Sequence, residues 1–351
     1  MNNYFNDLNE TVKQYFNILS NEIPEFIYEY VNTPEMLKQN EISVSCGNYY
    51  TKLFGEQMWF SSLDHSIAVA LIVWNFTKDR KQTLAGLFHD IATPVFKHSI
   101  DFMNGDYEKQ ESTEELTYKM IKDSKEINKL LEKDQIKIEE VSDYHIYPIA
   151  DNDTPQLSAD RLEYTFSNGL GARKKILSLD EIRTIYQNIE IQENENGIDE
   201  LGFKCKEIAE KFVNIAVTLQ TEVYVSNSTK LSMQFLGDIM KRMCQKEYIT
   251  KNDLYKYTDK EAIALIENCG DKKISECFKK WKNCTQIQES DEIVQNKYCQ
   301  SINGKLRYVN PLVKYNKGYE RISTISGKAK KDIDYCVNFK TKKYAYFNFD
   351  F

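Results

Sequence analysis

All four histidines of this 351-residue chain, His65, His89, His98 and His145, fall in one window between residues 65 and 145. Imidazole beside carboxylate is the donor set that first-row divalent cations prefer, so histidines confined to one segment and set among aspartates point to a metal site. The window also constrains its own secondary structure. The run from Ser61 to Trp74 is apolar on nearly every side and carries His65, which is the pattern of a helix buried all round. A neutral histidine inside such a helix must bond a partner or a metal, because an unpaired buried polar group costs about 1–3 kcal/mol.

Thr83 to Phe88 reads as a second apolar helix, and Pro94 disfavours helical geometry at Thr93, which puts His89-Asp90 in the last turn before a break. Adjacent helical side chains diverge by about 100°, so from a helix end both can clasp one ion from two sides. A further acidic anchor follows in Leu157–Tyr164, where Asp160 and Tyr164 share a helical face by i,i+4 spacing and Arg161 adjoins the carboxylate.

The order His65, His89-Asp90, Asp160 resembles the metal-binding signature of the HD-domain superfamily, whose members are mostly metal-dependent phosphohydrolases on an all-helical core. Cys46-Gly47-Asn48-Tyr49-Tyr50, Leu63–Val69, Leu87–Ile91, Phe96-Lys97-His98 and Ala159–Tyr164 look like the dNTP triphosphohydrolase branch, over roughly residues 40 to 175. The resemblance implies that His65, His89, Asp90 and Asp160 ligate one divalent metal ion (Mn, Mg, Fe, Ni or Co), and that Arg161 and Tyr164 face the phosphates of a nucleotide or related phosphate ester. Asp90 would also orient a water, Lys97 or Lys109 would neutralise phosphate charge, and Glu111, Glu108 or His98 would assist proton transfer.

The likeness is incomplete. Thr93 stands where the triphosphohydrolases carry a catalytic histidine, Ser62 where they carry a phosphate-contacting arginine, and no histidine occurs in residues 106–112. These departures weigh against triphosphate cleavage. With only His98 and His145 to serve a second ion, one metal is expected rather than two. An alternative function is a degenerate HD scaffold that binds or senses a nucleotide or partner without turnover; an HD-type oxygenase would need a di-iron centre. Oligomers are common in the resembling family, which implies a homo-oligomer.

The expected fold is mainly α: N-terminal helices in 1–40, an HD-domain core in 41–175, a helical extension in 176–288 and a β-rich C-terminal segment in 289–351. Within these, residues 8–40 read as two short helices and Val95–Met103 as a helix stopped by Asn104-Gly105. Ser112 with Glu115 has capping-box spacing, Asp143–Asp151 reads as a loop, and 178–285 keeps helical periodicity. Asn303-Gly304 predicts a hairpin over 301–309, Ile333–Phe339 alternates like a strand, and Tyr344–Phe349 could return beside it. Cys269, Cys277 and Cys284 are spaced for one helical face, and the eight cysteines read as reduced thiols. A formal net charge of −7 argues against a general nucleic-acid binder. No run is apolar for the roughly 18 residues of a membrane span, and the expected location is the cytoplasm.

Overall fold

The computed structural model describes residues 4–106, 116–171 and 175–351. Its centre is the helix Ser62–Thr77, in which every residue from Ser62 to Val73 is buried. Ser61 starts it with a capping box: its hydroxyl accepts from Asp64 N–H at 3.0 Å while Asp64 accepts from Ser61 N–H at 2.6 Å. The helices Glu10–Leu19, Arg80–Phe88 and Ala159–Gly171 pack around it. The same apolar cluster runs through Leu63, Ile67, Leu71, Leu87, Phe88, Leu162 and Phe166. A second cluster joins Phe96 and Ile100, just after the His89-Asp90 pair, to Phe235, Leu236 and Trp281. There the helix Asn227–Gln245 crosses Ser99–Asn104 so closely that a Cβ on Gly237 would stand 2.8 Å from the Ser99 carbonyl oxygen and the Met103 nitrogen.

Among the described residues, seven short strands make two small sheets. β1 (Ile189–Glu193), β2 (Asp199–Phe203), β5 (Leu312–Tyr315) and β6 (Gly318–Arg321) lie in that order, with β1 and β2 antiparallel, β2 and β5 parallel, and β5 and β6 antiparallel. β7 (Tyr344–Phe347) sits between β3 (Gln288–Ser290) and β4 (Tyr298–Gln300), antiparallel to both. The mainly helical class is as the sequence implied. No described helix is long and apolar enough to cross a membrane.

Several local expectations are overturned. Residues 10–38 hold three helices, Glu10–Leu19, Glu25–Val31 and Pro34–Lys38, because Pro34 opens a helix at N1 as well as breaking the one before it. The helix expected from Val95 starts at Ser99, since Phe96 and Lys97 take positive φ (56° and 45°). The β1–β2 hairpin interrupts the stretch read as helical. Ile333–Asn338 belongs not to a strand but to the helix Gly327–Asn338, capped by Ser326 and burying Ala329, Ile333 and Cys336, with Phe339 just past its end. Residues 301–309 form no hairpin; the C-terminal hairpin is β5–β6, turned at Asn316 with φ 52°. Cys277 lies within the helix Lys272–Asn283, whereas Cys269 and Cys284 follow the ends of two different helices. The Ser112–Glu115 capping box lies outside the described residues.

The first sheet grips the loop that leads into the Ala159–Gly171 helix. Glu200 of β2, fully buried, accepts from Leu157 N–H at 3.2 Å and is held by Arg321 of β6 at 2.7 Å. Removing the guanidinium leaves a buried charge without its counter-ion, a change of about 3–5 kcal/mol. Arg321→Ala is therefore expected to lower the melting temperature sharply, read by differential scanning fluorimetry. The paired change Arg321→Leu with Glu200→Leu is expected to recover most of the loss.

Candidate metal centre

His65 occupies the first turn of the Ser62–Thr77 helix and is 6 % exposed. Its Nδ1 meets Glu163 Oε2 in a short contact. Glu163 is itself fully buried and accepts from Tyr15 Oη at 3.1 Å and Ser167 Oγ at 3.2 Å. His89 caps the end of the Arg80–Phe88 helix, and its Nδ1 donates to the Gly86 carbonyl at 2.7 Å. Each Nδ1 is thus engaged from behind, and each Nε2 points into the same space.

The two Nε2 atoms are 3.1 Å apart. Asp160 Oδ1 stands 3.2 Å from His65 Nε2 and 3.8 Å from His89 Nε2; Asp90 Oδ2 is 3.7 and 3.5 Å from the same atoms. Ligands of one ion at about 2.1 Å lie about 3–3.5 Å from one another, so these separations suit a shared cation. His65, His89 and Asp160 each offer an atom within 4.8 Å of the others. The chemistry of the donor set fits as well: two imidazole nitrogens and two carboxylate oxygens face one space, a set that suits a divalent cation once His65 gives up its proton.

The charges show the same pressure. Burial alone would lower the His65 pKa, but Glu163 and Asp160 carry it up to about 10. Burial lowers that of His89, with the His65 charge adding to it against the pull of Asp90. Asp160 is held well below the usual carboxylate range against its burial, by a hydrogen bond from His65 and the charges of both histidines. Asp90 is held low, again against burial, by Lys97 first and then His89 and His65.

The flanking residues distribute unevenly. Lys97 is buried and places its ammonium on Asp90 Oδ2 in a short contact. It reaches there because Asp259, a buried carboxylate pushed up to about 6 by desolvation, accepts from Ser43 N–H at 3.0 Å and Phe96 N–H at 2.9 Å, fixing the left-handed turn at Phe96-Lys97. Arg161 turns back on its own loop: it donates to Asn152 Oδ1 at 2.5 Å, to Gln156 O and Ser158 Oγ at 3.3 Å, and lies 3.4 Å from Asp151. Tyr164 meets Tyr224 edge-on at 6.0 Å. His98 bonds Asp101 Oδ2 at 2.8 Å on its own helical turn rather than joining the quartet. Thr93 and Ser62 are both buried. Glu108, Lys109 and Glu111 lie outside the described residues.

Sequence reasoning passed over two contributors. Glu163 carried a signal, an acid three residues after Asp160 on an apolar helix face. Tyr144, whose ring stacks on His89 with centroids 5.0 Å apart and planes 28° apart, carried none. Its neighbour His145 lies between Asp143 (2.9 Å) and Asp151 (3.5 Å).

Residues 62–173 match the HD domain family. The chain is 23 % identical over 270 residues to YdhJ, an uncharacterized protein of Bacillus subtilis, covering 76 % of this chain and 78 % of that one. Among solved structures it is similar to a hypothetical protein from Aquifex aeolicus (15 % identity, TM-score 0.65, 93 % of each chain). It is also similar to a phosphohydrolase from Bacteroides thetaiotaomicron (14 % identity, TM-score 0.61, 93 % of this chain and 96 % of that one). At these identities the structural likeness establishes the fold, and the family match covers the stretch that holds the four-residue cluster.

Two outcomes are expected. Glu163→Gln weakens manganese affinity by about 10–100-fold, since the group behind a ligating histidine sets its orientation and basicity; calorimetric titration measures it, with exposed Arg183→Ala as the unaffected control. With a pKa of about 10, metal-free His65 is protonated at neutral pH, so metal uptake at pH 7.5 releases about one proton. Titrations in two buffers of different ionisation enthalpy would show it, and identical heats would mean that His65 was already neutral.

Proposed function

We propose that this HD-domain chain is a metal-dependent phosphohydrolase acting on a nucleotide or related phosphate ester. The observation that carries the reading is the convergence of His65 Nε2, His89 Nε2, Asp90 and Asp160 on one buried space, with both Nδ1 atoms engaged behind it. His65, His89, Asp90 and Asp160 would hold a single divalent ion; Mn, Mg, Fe, Ni and Co all suit such nitrogen and oxygen donors. When bound, such an ion supplies Lewis-acid polarisation of a phosphoryl oxygen and a lowered pKa for a coordinated water.

The chain's own residues do the rest. Asp90 stays ionised and is the carboxylate placed to orient the attacking water and receive its hydrogen bond. Lys97, on Asp90, keeps positive charge beside the reacting phosphate, and Arg161 sets the Asp151–Ser158 loop that delivers Asp160. Tyr144 covers one face of His89 and limits its contact with bulk water. Tyr164, one turn beyond Asp160 on the same helix, is the aromatic side chain on which a base or ribose can pack. His98, Glu108 and Glu111 remain the proposed proton carriers.

A second reading is a degenerate scaffold that binds a nucleotide or partner without turnover. It is favoured by Thr93 in place of the family histidine and by the Lys97 ammonium already neutralising Asp90. Elemental analysis of the purified protein, followed by a panel of phosphorylated substrates with added manganese, separates the two. The phosphohydrolase reading expects about one metal per chain and phosphate release that falls at least about a thousandfold in Asp160→Asn. Metal at that ratio with no release from any substrate would leave only the scaffold.

A further inference from the structure

The formal net charge of −7 is the sum of two unlike parts. Residues 227–351 hold 24 of the 46 lysines and arginines but only 15 of the 53 aspartates and glutamates, a net of +9, which leaves residues 1–226 at −16. Cations gathered in one part of a chain make a field for anionic partners, whatever the overall sum.

The helix Asn227–Gln245 turns Leu236, Met240 and Met243 into the second apolar cluster. Its opposite side carries Asp238, Lys241, Arg242 and Gln245, which share one stripe by their spacing of three, four and seven. With Lys297, Tyr298 and Phe351 this stripe lines a hollow of about 320 Å³, which is within the size range of ligand sites. The carboxylate there is already engaged, since Asp238 accepts from Tyr298 Oη at 2.6 Å and from Gln234 Nε2 at 3.0 Å. Arg242 is held in place, 3.2 Å from Asp271 and over the Phe351 ring at 5.4 Å. None of the ion pairs among the described residues takes up Lys241 or Lys297.

The basic surface runs on past the hollow. Asp271, the partner of Arg242, is the N-cap of the helix Lys272–Asn283, on which Lys272, Lys279 and Lys280 stand exposed with one acid, Glu276, among them. At the junction of the two helices is Tyr248, 41 % exposed, whose hydroxyl would lie 3.3 Å from a Cβ on Gly270. The apolar side of the lysine-rich helix is already buried through Ile274, Cys277, Phe278 and Trp281, which leaves it no apolar face to enter a lipid surface.

We infer that this face binds single-stranded nucleic acid, DNA or RNA. The lysines take successive phosphates, one nucleotide unit enters the hollow beside the Arg242 guanidinium, and a base stacks on Tyr248. Stacking needs an exposed ring or a guanidinium plane, and a row of cations longer than one nucleotide matches a strand. A duplex keeps its bases stacked on one another and leaves Tyr248 unused. The second apolar cluster separates this face from the Phe96-Lys97 turn beside Asp90, so the inference does not depend on what the metal centre turns over.

The test is fluorescence anisotropy of the full chain with labelled 20-mers of thymidylate DNA and uridylate RNA at about 50 mM salt. The wild type is expected to bind, and its log affinity to fall with log salt by about 0.7 for each phosphate contacted. Lys241→Glu with Lys297→Glu should weaken binding at least about tenfold. Tyr248→Ala should weaken it about fivefold or more, and Tyr248→Phe should restore it. Lys13→Glu with Lys129→Glu, the same charge change on exposed residues of the acidic part, should shift it by less than about threefold. Where the charge reversal melts early, Lys241→Gln with Lys297→Gln carries the same comparison. Binding of one strand but not the other supports the inference and identifies the sugar that is read. No binding to either strand, equal loss in the control pair, or a Tyr248→Ala variant that binds like the wild type overturns it. So does competition by polyaspartate as strong as by an unlabelled strand, or tighter binding to phosphatidylserine vesicles than to either strand.

Discussion

The contact between Glu163 and His65 is the one on which the rest of this structure turns. A carboxylate with no solvent exposure is costly unless its charge is met, and here Tyr15, Ser167 and the His65 imidazole meet it from three elements. The same contact orients His65 Nε2 toward His89, Asp90 and Asp160. Because Tyr15 comes from an N-terminal helix and Glu163 from the helix that bears Asp160, one buried carboxylate couples the packing of the bundle to the aim of His65 Nε2.

The loop 149–158 carries that coupling outward. It delivers Asp160 to the cluster through Ala159 and Asp160 N–H bonds to the Ile149 and Ala150 carbonyls at 2.8 and 3.2 Å. Arg161 ties it from inside, and Glu200 and the Leu157 carbonyl tie it to β2 from outside. The small sheet is thus a clamp on the loop, and the strap at 301–311 extends it past Tyr224 and Tyr164. The second apolar cluster does comparable work for the opposite wall: Asp259 fixes Phe96, and Phe96 fixes Lys97 against Asp90.

The four residues that converge, His65, His89, Asp90 and Asp160, could be picked out because each carries a local signal. His65 sits in a run apolar all round, His89-Asp90 precedes a proline-imposed break, and Asp160 opens a helix with a periodic apolar face. Turn chemistry and period were harder. Ile333, Tyr335, Val337 and Phe339 alternate, but Ala329, Ile333 and Cys336 also fall at helical spacing, and packing against the Lys206–Leu219 helix decides for the second period, leaving Tyr335 and Val337 exposed. Asn303-Gly304 has the chemistry of a tight turn, yet the segment bonds Gln220 and Pro155 instead, because a partner outside the segment outcompetes a local one.

By itself the sequence determined the helical class and the absence of any long apolar span, and it set each of the histidines and aspartates in its local pattern. All of these follow from composition and from spacing within a few turns of chain. Only the tertiary structure decided that Lys97 is spent on Asp90, that Arg161 holds its own loop, and that Glu163 and Tyr144 back the two histidines. It alone brought Arg307 beside Tyr224. The direction of a long or charged side chain depends on which opposite charges and rings are packed within reach, and those come from segments tens to hundreds of residues away that no local pattern encodes.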